Sequence, residues 1–131
     1  MSDVPEEVRE RIAGDPYCER LGIDLVALDA GEATTELTVT EGLLNFHGTP
    51  HGGAIYSLAD AAFAAASNSH GDTAVALETN VSYLAAVDEG ATLTATATET
   101  HRTRRTAEYE VVVTDDEGDR VATFRGRVYR P

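Results

Sequence analysis

A single carboxylate lies inside the most apolar segment of the chain. Asp60 is the only side chain charged at neutral pH between Gly42 and Gly71, although the whole chain carries 23 Asp and Glu residues. Burying an aspartate costs several kcal/mol unless the group is paired or hydrogen-bonded, and the loss of water raises its pKa. Asp60 therefore fits a general base or nucleophile, or else a structural acceptor for nearby donors.

A glycine pair lies just ahead of this aspartate, at the start of a predicted helix. Gly52 and Gly53 lead into an alanine-rich run, and the first backbone N–H groups of a helix have no partner within the helix. Together with the positive end of the helix dipole, these groups favour a developing oxyanion, and glycine lets a carbonyl group approach closely. The same pair also fits a simple helix entry.

Spacing along the predicted helix indicates a dimer. Gly53 and Asp60 are seven residues apart, which places them on one face at a separation of about 10 Å along the axis. One carbonyl group cannot reach both from the same helix. If both act on one substrate, Gly53 of one chain must meet Asp60 of a second chain across a twofold axis. We therefore predict an obligate homodimer with two equivalent sites.

The loop before the helix holds three more polar candidates, Asn45, His47 and His51. Asn45 can position a carbonyl group or a water molecule, and His51 can either hydrogen-bond a substrate or brace the loop. His47, His51 and Asp60 have the right atoms for a metal site, but they lack the fixed local spacing of metal-binding motifs. We therefore expect no metal.

Two further features are candidates for contact with a ligand. Asn68 lies where the helix is predicted to end, a position at which asparagine is also common for structural reasons. Arg102, Arg104 and Arg105 form a cationic cluster after a long stretch without Arg or Lys. This cluster can hold an anionic ligand such as phosphate by bidentate contacts, or pair with surface carboxylates. We predict substrate contacts at Asn68, Arg104 and Arg105.

Composition excludes several classes of function. The net charge is −13, which disfavours nucleic-acid binding. No apolar run is long enough to span a bilayer, and the N-terminus lacks an apolar signal core, so we predict a cytoplasmic protein without membrane contact.

All ten cations are arginine and lysine is absent. We interpret this composition as halophilic, because molar salt screens repulsion among carboxylates.

The order of apolar and polar residues along the chain predicts one α+β domain over residues 1–131. A helical segment over 1–20, with a short helix at about 3–14, precedes two strands, and a helix over 53–69 precedes four more. The longer helix has almost no polar face, so it must be buried on most sides. We expect an antiparallel sheet of about six strands to curl around it. The predicted strands cover 22–28, 32–40, 75–87, 92–98, 107–114 and 120–129.

The central segment carries a family resemblance. Residues 51–60, HGGAIYSLAD, followed by AAFA at 61–64 and ASNS at 66–69, resemble the hot-dog-fold thioesterases, and most closely their PaaI-type (phenylacetic acid degradation) branch. The segments 90–97 and 104–107 are compatible with strands of that family, and the resemblance extends from about residue 21 to residue 129. It implies a hot-dog fold, in which the sheet wraps around the central helix.

The resemblance also implies a function. Such proteins hydrolyse acyl- or aryl-coenzyme A thioesters at sites between two subunits, and their dimers often pair into tetramers. Asp60 matches the family's catalytic carboxylate and Gly53 its backbone oxyanion donor. Asn45 and His51 match positions that orient the thioester and water. The family uses no metal and no redox cofactor, and coenzyme A enters as part of the substrate.

Two other functions remain alternatives. A hot-dog hydratase or dehydratase acting on enoyl or hydroxyacyl thioesters would pair His47 with Asp60 as acid and base. A non-catalytic acyl-CoA-binding protein would keep the fold without turnover, although a binding module gains little from a buried carboxylate beside an apolar acyl group. One position that holds a hydroxyl group in some relatives is Ala76 here, which leaves the water-positioning residue open.

Overall fold

The computed structural model describes residues 4–131 of the chain. The helices within that range are α1 (Glu6–Ala13), α2 (Pro16–Leu21) and α3 (Gly52–Asn68), with a 3-10 turn at Glu41–Leu43. The strands are β1 (Asp24–Asp29), β2 (Glu32–Thr38), β3 (Val75–Tyr83), β4 (Thr92–Arg102), β5 (Thr106–Thr114) and β6 (Arg120–Tyr129). The predicted start of the first helix, Asp3, lies outside the described residues.

The strands form one antiparallel sheet in the order β1-β2-β4-β5-β6-β3. β1 and β3 are therefore its edge strands. The chain leaves β2, passes through α3 and returns as β3 at the opposite edge, so the helix has to cross the sheet. This arrangement confirms the predicted α+β architecture with six strands.

α3 packs across one face of the sheet and contacts all six strands. Small side chains let the helix backbone come close to the sheet, and β4 contributes the fully buried Ala95 and Ala97 to the same core. A sheet wrapped around one long helix in this way is the predicted hot-dog fold. Although α3 is apolar, no helix in residues 4–131 is long and apolar enough to cross a membrane. The buried residues of α3 are Ile55, Ser57, Leu58, Ala59, Ala62, Phe63, Ala65, Ala66 and Ser67.

Gly126 on β6 lies directly under Phe63 of α3. A Cβ atom added at Gly126 would fall 2.6 Å from two ring carbons of Phe63, and that ring already packs against Tyr109 and Phe124. We expect Gly126→Ala to lower the free energy of unfolding by about 1–3 kcal/mol, because the ring has little room to move. Urea unfolding measures this. Gly42→Ala is the control, since a Cβ atom there meets nothing within 4 Å, and equal stabilities for the two variants would contradict the close approach.

The N-terminal segment differs from the prediction, because it contains two short helices instead of one. Asp15 caps α2 through its carboxylate, Pro16 occupies the first helical position, and Gly22 ends the helix with φ at 82°. These are ordinary start and stop signals, so α2 could have been found in the sequence. A hydrogen bond of 2.9 Å between the hydroxyl groups of Tyr17 and Ser57 joins α2 to α3.

Other boundaries differ by smaller amounts. α3 begins one residue earlier than the predicted 53–69, because His51 already acts as its N-terminal cap, and it ends one residue earlier, at Asn68. β3 ends at Tyr83 instead of residue 87. β4 continues to Arg102 because its pairing with β5 extends as far as Ala107, beyond the alternating threonine pattern that indicated the strand.

Candidate active site

The first turn of α3 is capped by a histidine. The Nδ1 atom of His51 accepts a hydrogen bond from the Gly53 backbone N–H at 2.8 Å. Because Nδ1 accepts, a neutral His51 ring carries its proton on Nε2. The backbone of His51 is fixed as well, since its N–H donates to the Leu43 carbonyl at 2.8 Å and its carbonyl accepts from the Ala54 N–H at 3.0 Å. The predicted oxyanion donor therefore has an intramolecular partner in this structure.

Both glycines at the start of α3 lie in close contacts. A Cβ atom at Gly53 would lie 2.9 Å from His51 Nδ1, and one at Gly52 would lie 3.2 Å from the Tyr83 hydroxyl. That hydroxyl donates to the Gly52 carbonyl at 2.8 Å. Since Tyr83 is the last residue of β3, the start of α3 is attached directly to an edge strand of the sheet.

Asp60 lies two turns farther along α3, on the same face as Gly53. It is half-buried, and within residues 4–131 the structure shows no hydrogen bond or ion pair at its carboxylate. Burial raises the pKa of Asp60, and the nearby Asp15 carboxylate raises it further. Asp15 is held in place because it accepts hydrogen bonds from the N–H groups of Tyr17 and Cys18. Asp60 is therefore a stronger base than an exposed aspartate.

Gly53 and Asp60 cannot serve one carbonyl group within a single chain. Both lie on the continuous helix α3, and their separation of seven positions spans about 10 Å at the usual rise of an α-helix. The separation on which the dimer prediction depends is thus present in the structure. A reaction centre that uses both groups needs two copies of the chain.

Asn45 organises the loop that leads into α3. Its Oδ1 atom accepts hydrogen bonds from the backbone N–H groups of His47 and Thr49 and from the Thr49 hydroxyl, at 2.9, 3.2 and 3.1 Å. The side-chain amide NH₂ takes no part in these bonds and can still orient a ligand. His47 is exposed, with its ring centroid 4.2 Å from that of Phe46. Across residues 4–131, no three His, Cys, Asp or Glu side chains are grouped closely enough to share a metal ion.

The C-terminal end of α3 is fastened to the sheet by three successive side chains. Asn68 exchanges hydrogen bonds of 3.3 and 3.0 Å with the backbone of Ala74, just before β3. The Ser69 hydroxyl accepts from a backbone N–H in the β1–β2 turn at 2.8 Å, and His70 Nε2 lies 3.0 Å from Glu99 Oε1. The Asn68 amide is thus engaged by its own chain, and its contact with substrate stays a prediction.

Arg104 and Arg105 lie in the β4–β5 turn, near this same end of α3. Together with residues that follow α3, they border a surface cavity of about 550 Å³. Both arginines are exposed, and the Arg105 guanidinium donates to the Tyr129 hydroxyl at 2.9 Å and lies 5.2 Å from the centroid of that ring. The length of α3, about 25 Å, separates this turn from Gly53 in one chain. Substrate binding by the two arginines also stays a prediction.

Sequence reasoning did not find Asp15, Tyr17 or Tyr83 as parts of the site. Tyr17 and Tyr83 contact α3 residues that are 40 and 31 positions away in the chain, and no local pattern indicates such contacts. Asp15 could have been found as a helix cap, but its closeness to Asp60 depends on how α2 packs. Tyr17 and Tyr83 hydrogen-bond to α3 at Ser57 and Gly52, close to Gly53 in the chain, and the Asp15 carboxylate acts on Asp60 electrostatically.

The sequence and the fold are similar to those of known enzymes. Residues 47–122 match the family described as the Thioesterase superfamily. The acyl-coenzyme A thioesterase PaaI of Escherichia coli is 41% identical over 88% of this chain and 83% of its own. The solved structure of E. coli PaaI superposes with a TM-score of 0.90 at 39% identity, over 94% of this chain and 89% of that one. A Streptococcus mutans structure bound to acetyl CoA gives a TM-score of 0.79 at 29% identity, over 83% and 88%.

A hot-dog domain with these similarities defines a class of thioester-hydrolysing enzymes. The chain belongs to the thioesterase superfamily, and PaaI is among its homologues. The predictions of the family, the fold and the enzyme class are therefore confirmed.

Proposed function

We propose that this protein hydrolyses acyl- or aryl-coenzyme A thioesters to free acid and coenzyme A, at two equivalent sites between the subunits of a homodimer. The substrate class is supported by the homologue described as an acyl-coenzyme A thioesterase and by the related structure bound to acetyl CoA. The observation that carries the reaction centre is Asp60, a half-buried carboxylate with a raised pKa and no partner among residues 4–131.

Asp60 supplies either the base or the nucleophile. As a base, its carboxylate takes a proton from water while the water oxygen attacks the thioester carbonyl; the tetrahedral intermediate then expels the coenzyme A thiolate, which is protonated. As a nucleophile, the carboxylate displaces the thiolate itself and forms a mixed anhydride, which water hydrolyses. Both routes need the ionised carboxylate, so the rate falls as the pH drops through the raised pKa of Asp60.

The Gly53 N–H stabilises the oxyanion in this proposal, and His51 holds that group in place beforehand. The N–H donates to the neutral Nδ1 atom of His51. A developing oxyanion is a stronger acceptor than a neutral imidazole, because charge-assisted hydrogen bonds are roughly twice as strong. The N–H can therefore pass from His51 to the oxyanion as negative charge develops. The released imidazole stays beside the carbonyl group and orients the thioester.

The exposed edge of the sheet supports the second subunit. The exposed large apolar side chains on and just after β3 are Val75, Leu77, Tyr83 and Leu84. An edge strand also offers unpaired backbone N–H and C=O groups to another strand. Because Tyr83 is hydrogen-bonded to the first turn of α3, a copy that pairs with β3 brings its own helix alongside that turn. In this dimer, Gly53 of one subunit faces Asp60 of the partner subunit.

The remaining assignments extend the site beyond the reaction centre. Asn45 orients the thioester with His51, and Arg104 and Arg105 hold the phosphate-bearing end of coenzyme A. Asn68 contributes a weaker contact, because its amide is already engaged. No metal or separate cofactor takes part. A net charge of −13 without lysine suits an enzyme of a salt-rich cytoplasm. In this proposal two dimers can also pair into a tetramer.

A thiol-release assay across aryl and alkyl coenzyme A esters tests this function. We expect free coenzyme A to form in molar KCl, and less of it at low salt, because unscreened repulsion among carboxylates destabilises the fold. Crotonyl-CoA is included with hydration followed in parallel. Hydration without thiol release would indicate a hydratase, and tight ester binding without release would indicate a binding protein. Either result would overturn the hydrolase assignment.

A further inference from the structure

A cavity of about 370 Å³ lies between the N-terminal helices and α3. Its size falls within the range of small-molecule sites. Most of its wall is apolar, and three alanines from two neighbouring turns of α3 line it, with short side chains that leave the space open. The apolar wall is formed by Ile12, Ile23, Leu25, Ala61, Ala64 and Ala65.

This cavity adjoins Asp60. Ala64 lies four residues after Asp60, one turn farther along the same face of α3, and Ala61 is the next residue in the chain after Asp60. Asp15 and Cys18 also line the cavity, and both interact with Asp60 electrostatically. Burial raises the pKa of the Cys18 thiol to about 11, with Asp15 and Asp60 adding to the effect. The cavity is thus within reach of a group attached to a carbonyl at Asp60.

Two polar side chains that line the cavity, those of Thr35 and Asn68, are already hydrogen-bonded within the chain, whereas Arg11 and Asp15 add charged groups to its lining. The Thr35 hydroxyl donates to the Leu58 carbonyl at 2.9 Å, and the Asn68 amide is bound to the backbone of its own chain. A bound molecule still meets mainly apolar surface, because most of the cavity wall is apolar. Since a dry apolar cavity of about 150 Å³ can hold benzene, this larger one has room for an aromatic ring together with a short linker.

A second cavity, of about 250 Å³, adjoins Gly53 instead. It is smaller, and His51 and Tyr17 are among the residues that line it. Cys18 and Ala64 do not line this second cavity, so changes at those two residues distinguish the two places.

We infer that the cavity of about 370 Å³ between the N-terminal helices and α3 is the acyl-binding pocket of the subunit that supplies Asp60. In this inference Ala64 limits the size of the acyl group that the pocket accepts. The pocket takes one aromatic ring or an aliphatic chain of similar volume. This inference rests on the proposed function, because it places the thioester carbonyl at Asp60 and the apolar acyl group in the adjoining space. Coenzyme A then extends away from the cavity.

Filling the cavity tests its role in specificity. Ala64 is exposed to the cavity, and leucine is nearly as good a helix former as alanine, so Ala64→Leu narrows the pocket without a change in the helix. We expect the ratio of kcat/KM for phenylacetyl-CoA to that for acetyl-CoA to fall by at least about tenfold. Ala27→Leu, on the exposed part of β1 outside the cavity, is the matched control and should leave the ratio unchanged. Equal ratios in the two variants would overturn the inference.

Protection of the single cysteine gives a second readout that needs no turnover. Cys18 is the one cysteine in the chain, and its reaction with N-ethylmaleimide can be followed by mass spectrometry. A saturating amount of S-phenethyl coenzyme A, a thioether that cannot be hydrolysed, should slow this reaction by about tenfold or more, because the ring blocks access to the thiol. Desulfo-coenzyme A, which lacks an acyl group, should not protect Cys18.

The two readouts separate this inference from the proposed function. If no ester releases thiol but the thioether protects Cys18, the pocket stands and hydrolysis is rejected. If esters are hydrolysed and Cys18 reacts equally fast with either ligand bound, hydrolysis stands and the acyl group lies elsewhere, with the cavity beside Gly53 as the next candidate. Failure of the thioether to bind in calorimetry would also overturn the pocket.

Discussion

Replacing Asp60 with asparagine should abolish thiol release and make the protein more stable at neutral pH. We expect kcat/KM to fall by about 10²–10⁴-fold, because asparagine can neither accept the proton nor attack the thioester. Burial raises the pKa of Asp60 in the folded state, so folding disfavours its ionised form. The resulting loss in the free energy of unfolding is absent below the pKa that Asp60 has in the unfolded chain, and it is complete above the pKa that Asp60 has in the folded protein. Because asparagine does not ionise, Asp60→Asn removes this loss at pH 7. Assays of activity and thermal unfolding on one preparation measure both effects.

A neighbouring variant serves as the control for this result. Asp15→Asn keeps a good helix cap and leaves Asp60 buried, but it removes the charge that raises the pKa of Asp60 beyond the effect of burial, so the acid limb of the pH–rate profile should move to lower pH. Wild-type activity in Asp60→Asn would remove Asp60 from the mechanism. Loss of activity together with a lower melting temperature would instead make Asp60 a structural acceptor.

Two inactive variants should restore activity when their chains are combined. Gly53→Ala should lower kcat/KM by about 10²-fold, because its Cβ atom would crowd the His51 ring and the substrate carbonyl. When Gly53→Ala and Asp60→Asn chains are unfolded together in equal amounts and refolded, half of the dimers contain one chain of each kind. Each such dimer has one site with both native groups, so we expect about a quarter of wild-type activity.

Chains refolded separately and then mixed are the control, and they should stay inactive if the dimers do not exchange. A mass tag on one variant shows by native mass spectrometry whether mixed dimers have formed. If mixed dimers are present and activity does not return, Gly53 and Asp60 do not act across an interface, and the proposed site is wrong even if each residue matters by itself.

Local signals were sufficient to predict the framework of this molecule. The apolar run around Asp60 indicated a buried helix, and the strand patterns separated by short turns indicated an antiparallel sheet, because both depend on residues close together in the chain. The spacing of Gly53 and Asp60 could be converted into a distance for the same reason, since one continuous helix fixes it. The fold and the positions of these two groups on it therefore followed from the sequence.

Contacts between distant segments could not be predicted in this way. Nothing near Tyr17 indicates that it reaches Ser57, and nothing near Asn68 indicates that its amide is used by Ala74. The partner of the Gly53 N–H lies only two residues away, at His51, but the sequence allowed that ring to turn toward a ligand as readily as toward the backbone. Packing decides among such options, and packing is a property of the whole fold.

The hydrogen bond between Tyr17 and Ser57 keeps α2 docked on α3. Asp15 caps the start of α2, and its charge adds to the effect of burial in raising the pKa of Asp60. If α2 moved away, Asp60 would lose a negatively charged neighbour and become more exposed to water. Its pKa would then fall toward that of an exposed aspartate, and Asp60 would be a weaker base. A short helix that takes no part in the proposed chemistry thus adds to the basicity of the carboxylate proposed to react.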